Sequence, residues 1–127
     1  MRLNELVEDG IDIFALEGEI DFHYAPVLRT LLRSKIRSKC PALILDLSGV
    51  HWIDSTGLAT IIEHLRDAAK YGGILCLAGL KDSIRSIFEV VRLDTLIPIF
   101  PSREEAKTAI KQGRVQPPEP NLFGSAA

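Results

Sequence analysis

Two short runs of this chain, Ala42-Leu43-Ile44-Leu45 and Ile74-Leu75-Cys76-Leu77-Ala78, are apolar at every position. A strand with one wet face alternates polar and apolar residues, whereas an unbroken run belongs to a strand covered on both faces, as in parallel sheets flanked by helices. Between the two runs, Leu58, Ile61, Ile62, Leu65 and Ala69 recur at helical spacing, and Gly72-Gly73 supplies a stop. Strand, helix and strand in that order form a right-handed crossover, which commits the chain to an α/β sheet.

The other segments fit around this unit. Ile11 to Leu16 reads as a strand ending at Gly18, paired with Leu3 to Val7 across an Asp9-Gly10 turn, a strong hairpin signal. Ala25, Leu28, Leu32 and Ile36 repeat with helical period, and Pro26 suits the first turn, where its missing N–H costs nothing. Ile84, Ile87, Phe88 and Val91 mark a third helix over 83–91. Leu96 to Phe100 resembles a strand, but Pro98 cannot donate to a ladder and confines it to an edge. Ser102-Arg103-Glu104-Glu105 is a capping box before Ala106, Ala109 and Ile110. The order ββαβαβαβα predicts an α/β fold: one domain over residues 1–112, a mixed, mostly parallel sheet of five strands, the first two a hairpin, with four helices. The segment 113–127, with three prolines and no periodicity, is expected to be a disordered tail.

A chain of 127 residues can bury a core without disulfides or metals. Its net charge of −2 and lack of a basic stripe argue against nucleic acid as a partner. The opening MRLNELVEDG carries three acids and no apolar core, unlike a secretory signal, and no apolar run is long enough for a bilayer, so no membrane insertion is expected. Cys40 and Cys76 lack CxxC spacing and fit reduced, buried thiols in a cytoplasmic protein.

Several chemistries lack their residues. His23, His51 and His64 never fall at i, i+4 with one another or beside a cysteine pair, so no metal site is expected. Neither GxGxxG nor a P-loop occurs, and no cofactor is expected. Ser55 lacks the GxSxG frame of a serine hydrolase, and no histidine is placed as its base. Asp46, at the end of the central strand, invites comparison with the phospho-accepting aspartate of receiver domains, but those add an acidic pair after the first strand and a lysine after the last, and Leu96 to Pro101 holds no lysine.

The stretch Val50-His51-Trp52-Ile53-Asp54-Ser55-Thr56-Gly57-Leu58 stands out. Asp, Ser and Thr are preferred N-caps, so a helix starting here needs one of them. Four consecutive small or capping residues exceed that need, and Gly57 gives up helix propensity in favour of close approach. Trp52 reads either as packing at the strand end or as a partner anchor, and packing is the expectation, since tryptophans are usually largely buried.

Gly18-Glu19-Ile20-Asp21, Ala25-Pro26-Val27-Leu28, Leu45-Asp46-Leu47-Ser48-Gly49-Val50 and Ile53-Asp54-Ser55-Thr56-Gly57-Leu58 together resemble the anti-sigma factor antagonist family, whose fold is the STAS domain. The resemblance spans roughly residues 5 to 111 and rests on the order of these segments. It implies a binding switch with no catalysis of its own. The unphosphorylated form would dock on a serine kinase that acts as anti-sigma factor, phosphorylation of Ser55 would end binding, and a phosphatase would act on phospho-Ser55. Glu19, Asp21, Asp54, Ser55, Thr56 and Gly57 would form the partner-facing surface, with Gly57 letting the partner backbone approach. The residues alone leave Thr56 open as the acceptor, and leave Glu19 and Asp21 open as turn formers. Dimerisation is compatible with this reading. Phe22-His23-Tyr24 is more aromatic than the run the family often has there, which would either alter kinase recognition or pack on Trp52. An alternative role for the same fold is as an interaction module of a stress-signalling or lipid-transport complex.

Overall fold

A computed structural model describes residues 1–120, so the final segment of the expected tail, 121–127, lies outside the described residues. The elements are β1 (Arg2–Glu8), β2 (Ile11–Ile20), α1 (Ala25–Arg37), β3 (Ala42–Ile53), α2 (Ser55–Ala69), β4 (Ile74–Ala78), α3 (Asp82–Val90), a 3₁₀ turn (Leu93–Thr95), β5 (Ile99–Phe100) and α4 (Arg103–Lys111). The five strands lie in sequence order, with β1 antiparallel to β2 and every later pair parallel. Asp9 and Gly10 both take positive φ, 54° and 75°, as the two-residue hairpin turn demands.

The two faces of the sheet are covered unequally. On one, Phe14, Leu16, Leu43, Leu45, Leu47 and Val50 pack with Leu28, Leu32, Ile61, Leu65, Ile84 and Phe88 from α1, α2 and α3. On the other, Ile11, Ile13, Ile44, Cys76 and Ala78 meet Ala106 and Ala109 of α4. Both faces of β3 and β4 are thus dry, which is why Ala42–Leu45 and Ile74–Ala78 carry no polar residue. Salt bridges fasten α4 to the hairpin. The buried Lys107 ammonium lies 2.9 Å from Glu8 and 3.1 Å from Glu104, and Arg103 Nη1 lies 3.0 Å from Glu8.

Two boundaries differ from expectation. β2 continues through Gly18, whose φ of +93° belongs to an irregularity within the strand and not to its end. The last strand shrinks to Ile99–Phe100, because the chain arrives through the 3₁₀ turn, with Leu96 and Ile97 N–H donating to the Leu93 carbonyl. Pro98 offers only its carbonyl, which accepts from Leu77 N–H at 2.9 Å. Beyond α4, residues 114–119 form no regular element, yet Val115 is buried in the α4-side cluster.

β3 is the longest strand, at twelve residues, and its pairing with β2 slips twice. Ala15 faces Asp46 but Glu17 faces Gly49, and Gly18 faces Val50 but Glu19 faces Trp52. Each slip puts one extra residue on β3, the arrangement of a β-bulge, and reverses which side chains point inward. Inward positions accordingly run Leu43, Leu45, Leu47, then Val50, then Ile53.

Candidate functional site

The second slip decides the shape of the region that follows. Continued alternation from Val50 would turn Trp52 inward. With His51 as the extra residue, Ile53 goes into the core instead, and both His51 and Trp52 face solvent. Trp52 is 52% exposed, which overturns the expectation that it packs at the strand end. The sequence held a signal for this: Trp52 and Ile53 are adjacent, and a regular strand cannot turn both to the same core.

Immediately after Ile53, Asp54 takes an extended conformation and caps α2, its Oδ1 accepting from Gly57 N–H at 2.9 Å. Its Oδ2 accepts from Phe22 N–H at 2.9 Å, and its own N–H donates to the Ile20 carbonyl at 3.1 Å. One side chain therefore joins the end of β3, the first turn of α2 and the loop leading to α1. Asp21 shapes that loop: its Oδ1 accepts from His23 and Tyr24 N–H at 3.0 and 3.2 Å, and its carbonyl accepts from Ala25 N–H. Glu19, at the end of β2, lies 3.8 Å from His51 Nε2.

Ser55 is the first residue of α2 and is exposed, whereas Thr56 is half-buried, so exposure separates the two hydroxyls that the sequence left equal. Gly57 requires a correction. It is buried, and a Cβ built on it would lie 2.5 Å from the Ile20 carbonyl oxygen and 2.9 Å from Ile20 Cγ2 and Ile53 Cγ1. The close approach it permits is between α2 and the end of β2 within this chain, not towards a partner. Phe22 is 71% exposed beside this cluster. Among the described residues the aromatic rings that meet are His23 and Tyr24, edge to face at 5.0 Å, and no ring of this loop stacks on that of Trp52.

Asp46 faces the other side of the sheet. It is buried, with Oδ2 2.8 Å from Arg103 Nε and Oδ1 accepting from Ser48 N–H at 3.0 Å. Burial alone would raise its carboxyl, but Ser48 and Arg103 outweigh it and hold the group below the usual range. Both oxygens are thus occupied in structural bonds.

The arrangement defines a class before a role: a five-stranded sheet opened by a hairpin, with an exposed serine at the head of a capped helix. The chain belongs to the STAS domain family, whose model matches residues 3–106. Among curated relatives, the anti-sigma-B factor antagonist of Listeria monocytogenes is 32% identical over 99 residues, 78% of this chain and 86% of that protein. Among solved structures, an anti-sigma factor antagonist from Mycobacterium paratuberculosis superposes with a TM-score of 0.77 at 28% identity, covering 87% of this chain and 95% of that one. The Bacillus cell fate determinant SpoIIAA, in its phosphorylated form, shares the fold at a TM-score of 0.70 and 19% identity, covering 86% and 99% of the two chains.

Proposed function

We propose that this protein is an anti-sigma factor antagonist of the cytoplasm, a binding switch and not a catalyst. Unphosphorylated, it binds an anti-sigma factor serine kinase and so releases the sigma factor. Phosphorylation of Ser55 ends binding, and a phosphatase acting on phospho-Ser55 restores it. Residues 1–112 carry this activity. The observation that supports the reading most is the exposure of Ser55 on a turn that Asp54 ties to two other elements, in a chain similar to named antagonists.

The charge supplies the switch. Phosphorylation adds about −1.5 to −2 charges, which the free N–H groups and dipole of a helix N-terminus accommodate, so the fold persists. At an interface the same charge meets Asp54 and the partner groups shaped for a neutral hydroxyl. One pair of like charges about 4 Å apart costs about 4 kcal/mol at an effective dielectric near 20. About 2.7 kcal/mol already weakens binding about 100-fold.

The test is to incubate the purified chain with serine kinases of its own organism and ATP, and to map the label. Label on Ser55, lost in Ser55→Ala, supports the reading, and unchanged labelling of Ser55→Ala sinks the assignment. Ser55→Asp is expected to bind the kinase at least tenfold more weakly with an unchanged circular dichroism spectrum. Recovery of lipid-transport or stress-complex subunits with no kinase would favour the interaction-module role instead.

A further inference from the structure

The extra residue in β3 is informative because of what it forgoes. Continued alternation from the inward Val50 would have sent Trp52 into the core. The slip at Gly18/Glu19 instead leaves the largest side chain of the protein 52% exposed, three residues before Ser55. Bulges are frequent beside functional sites, where they re-aim a side chain. Phe22, 71% exposed, has its N–H held by the carboxylate of Asp54, the residue before Ser55. Two large exposed aromatics thus stand on backbone tied to the start of α2, Trp52 through the strand that leads into Asp54 and Phe22 through its bond to the Asp54 carboxylate. Aromatic side chains on rigid supports are the residues that dominate interface energetics. Around them Glu19, Asp21 and Asp54 supply negative charge, while neither 18–24 nor 50–58 contains a lysine or arginine.

Resting on the function proposed above, we infer that Phe22 and Trp52 are the anchors by which the anti-sigma factor kinase recognises this chain, and that the kinase receives them in two apolar recesses rimmed by basic residues. The acidic surround steers a cationic partner, and the two rings supply the desolvated contact that holds it. In this chain Trp52 and Phe22 then set which kinase is bound, while Ser55 sets when.

The test uses the full chain and the kinase that labels its Ser55. Phe22→Ala and Trp52→Ala, both at exposed positions, are expected to keep the wild-type melting temperature. Each is expected to raise the dissociation constant about 30-fold. Each should also raise KM for Ser55 phosphorylation while leaving kcat within about twofold, as loss of docking does. Val7→Ala, an equally exposed apolar position on β1, should change neither. Wild-type binding should weaken steeply with added salt. Binding of both aromatic variants within threefold of wild type, with the wild type labelled normally, overturns the inference and leaves the proposed function standing. A loss in Val7→Ala equal to that in Trp52→Ala overturns it too. A self-associated wild type that Trp52→Ala converts to monomers, with kinase binding unchanged, assigns the patch to a second copy of the chain and overturns it as well. Absence of any Ser55-labelling kinase is the separate failure of the proposed function, which takes this inference with it.

Discussion

Gly57 shows how one residue can be read correctly for its chemistry and wrongly for its place. Its lack of a side chain does mean close approach, but the neighbour is the Ile20 carbonyl oxygen, 2.5 Å from where a Cβ would sit. Backbone there cannot yield as a flexible side chain would. Gly57→Ala is therefore expected to destabilise the protein by about 1–3 kcal/mol, the usual cost of overpacking, measurable as a lower urea midpoint at unchanged slope. Arg92 is the converse case. It is exposed and holds φ 62° between α3 and the 3₁₀ turn, a conformation that costs a non-glycine residue about 1–2 kcal/mol. Arg92→Gly removes that strain and gives back part of it in unfolded-chain entropy. The expected outcome is a gain of up to about 1 kcal/mol, seen as a higher urea midpoint.

At the scale of elements, Asp54 matters more than its role as a cap. It satisfies Gly57 N–H in α2 and Phe22 N–H in the loop before α1. Asp54→Ala removes the cap, worth about 1 kcal/mol, and frees the loop as well. Hydrogen exchange should report both effects, with the amides of Gly57 and Phe22 losing protection while those of β3 and β4 keep theirs. Those two strands were the most legible part of the sequence, since an unbroken apolar run has one physical meaning once a helical period lies between two of them. The hairpin was legible for a similar reason, because Asp9-Gly10 suits the positive φ that the turn requires. Trp52 was misplaced because burial was inferred from residue type; the adjacent Ile53 competes for the same core, and which of the two turns inward was decided by the slips in the pairing of β3 with β2. α2 shows the same limit. Its buried residues are Gly57, Thr60, Ile61, His64, Leu65, Ala68 and Ala69, which keep Ile61, Leu65 and Ala69 of the expected stripe but leave Leu58 and Ile62 only half-buried, because polar Thr60 and His64 occupy the seam with α1. The motif around Ser55 was legible as a cap and as a family resemblance. The reason for its rigidity lay in bonds to Ile20 and Phe22, some 30 residues away.

At the scale of the whole molecule, the seam between α1 and α2 couples the fold to pH. His64 is only 3% exposed, and its Nδ1 has no hydrogen-bond partner among the described residues. The groups around it are Arg29 and Arg33 from α1, and Thr60, Glu63 and Asp67 from α2. Glu63 is occupied, accepting from Arg29 Nε at 2.8 Å and from Arg33 Nη2 at 2.7 Å. Burial pushes the His64 imidazole from 6.5 down to about 4, against the opposing pull of Asp67. Because the folded value lies below the unfolded one, the unfolded chain takes up a proton first. The neutral imidazole thus contributes stability fully above pH 6.5, and the contribution fades as the pH falls towards 4. The loss over that window is about 3 kcal/mol, a large share of the stability of a small domain. A second decline follows at lower pH, as the depressed carboxyls of Asp46 and Glu63 take up protons and release Arg103, Arg29 and Arg33. His64→Leu fills the seam with an apolar group that does not titrate. Urea unfolding at a series of pH values should show the wild type losing stability from pH 6.5 to 4 and the variant nearly level there, with both falling below pH 4. Parallel curves for the two proteins across the upper window would show that His64 is not the group responsible.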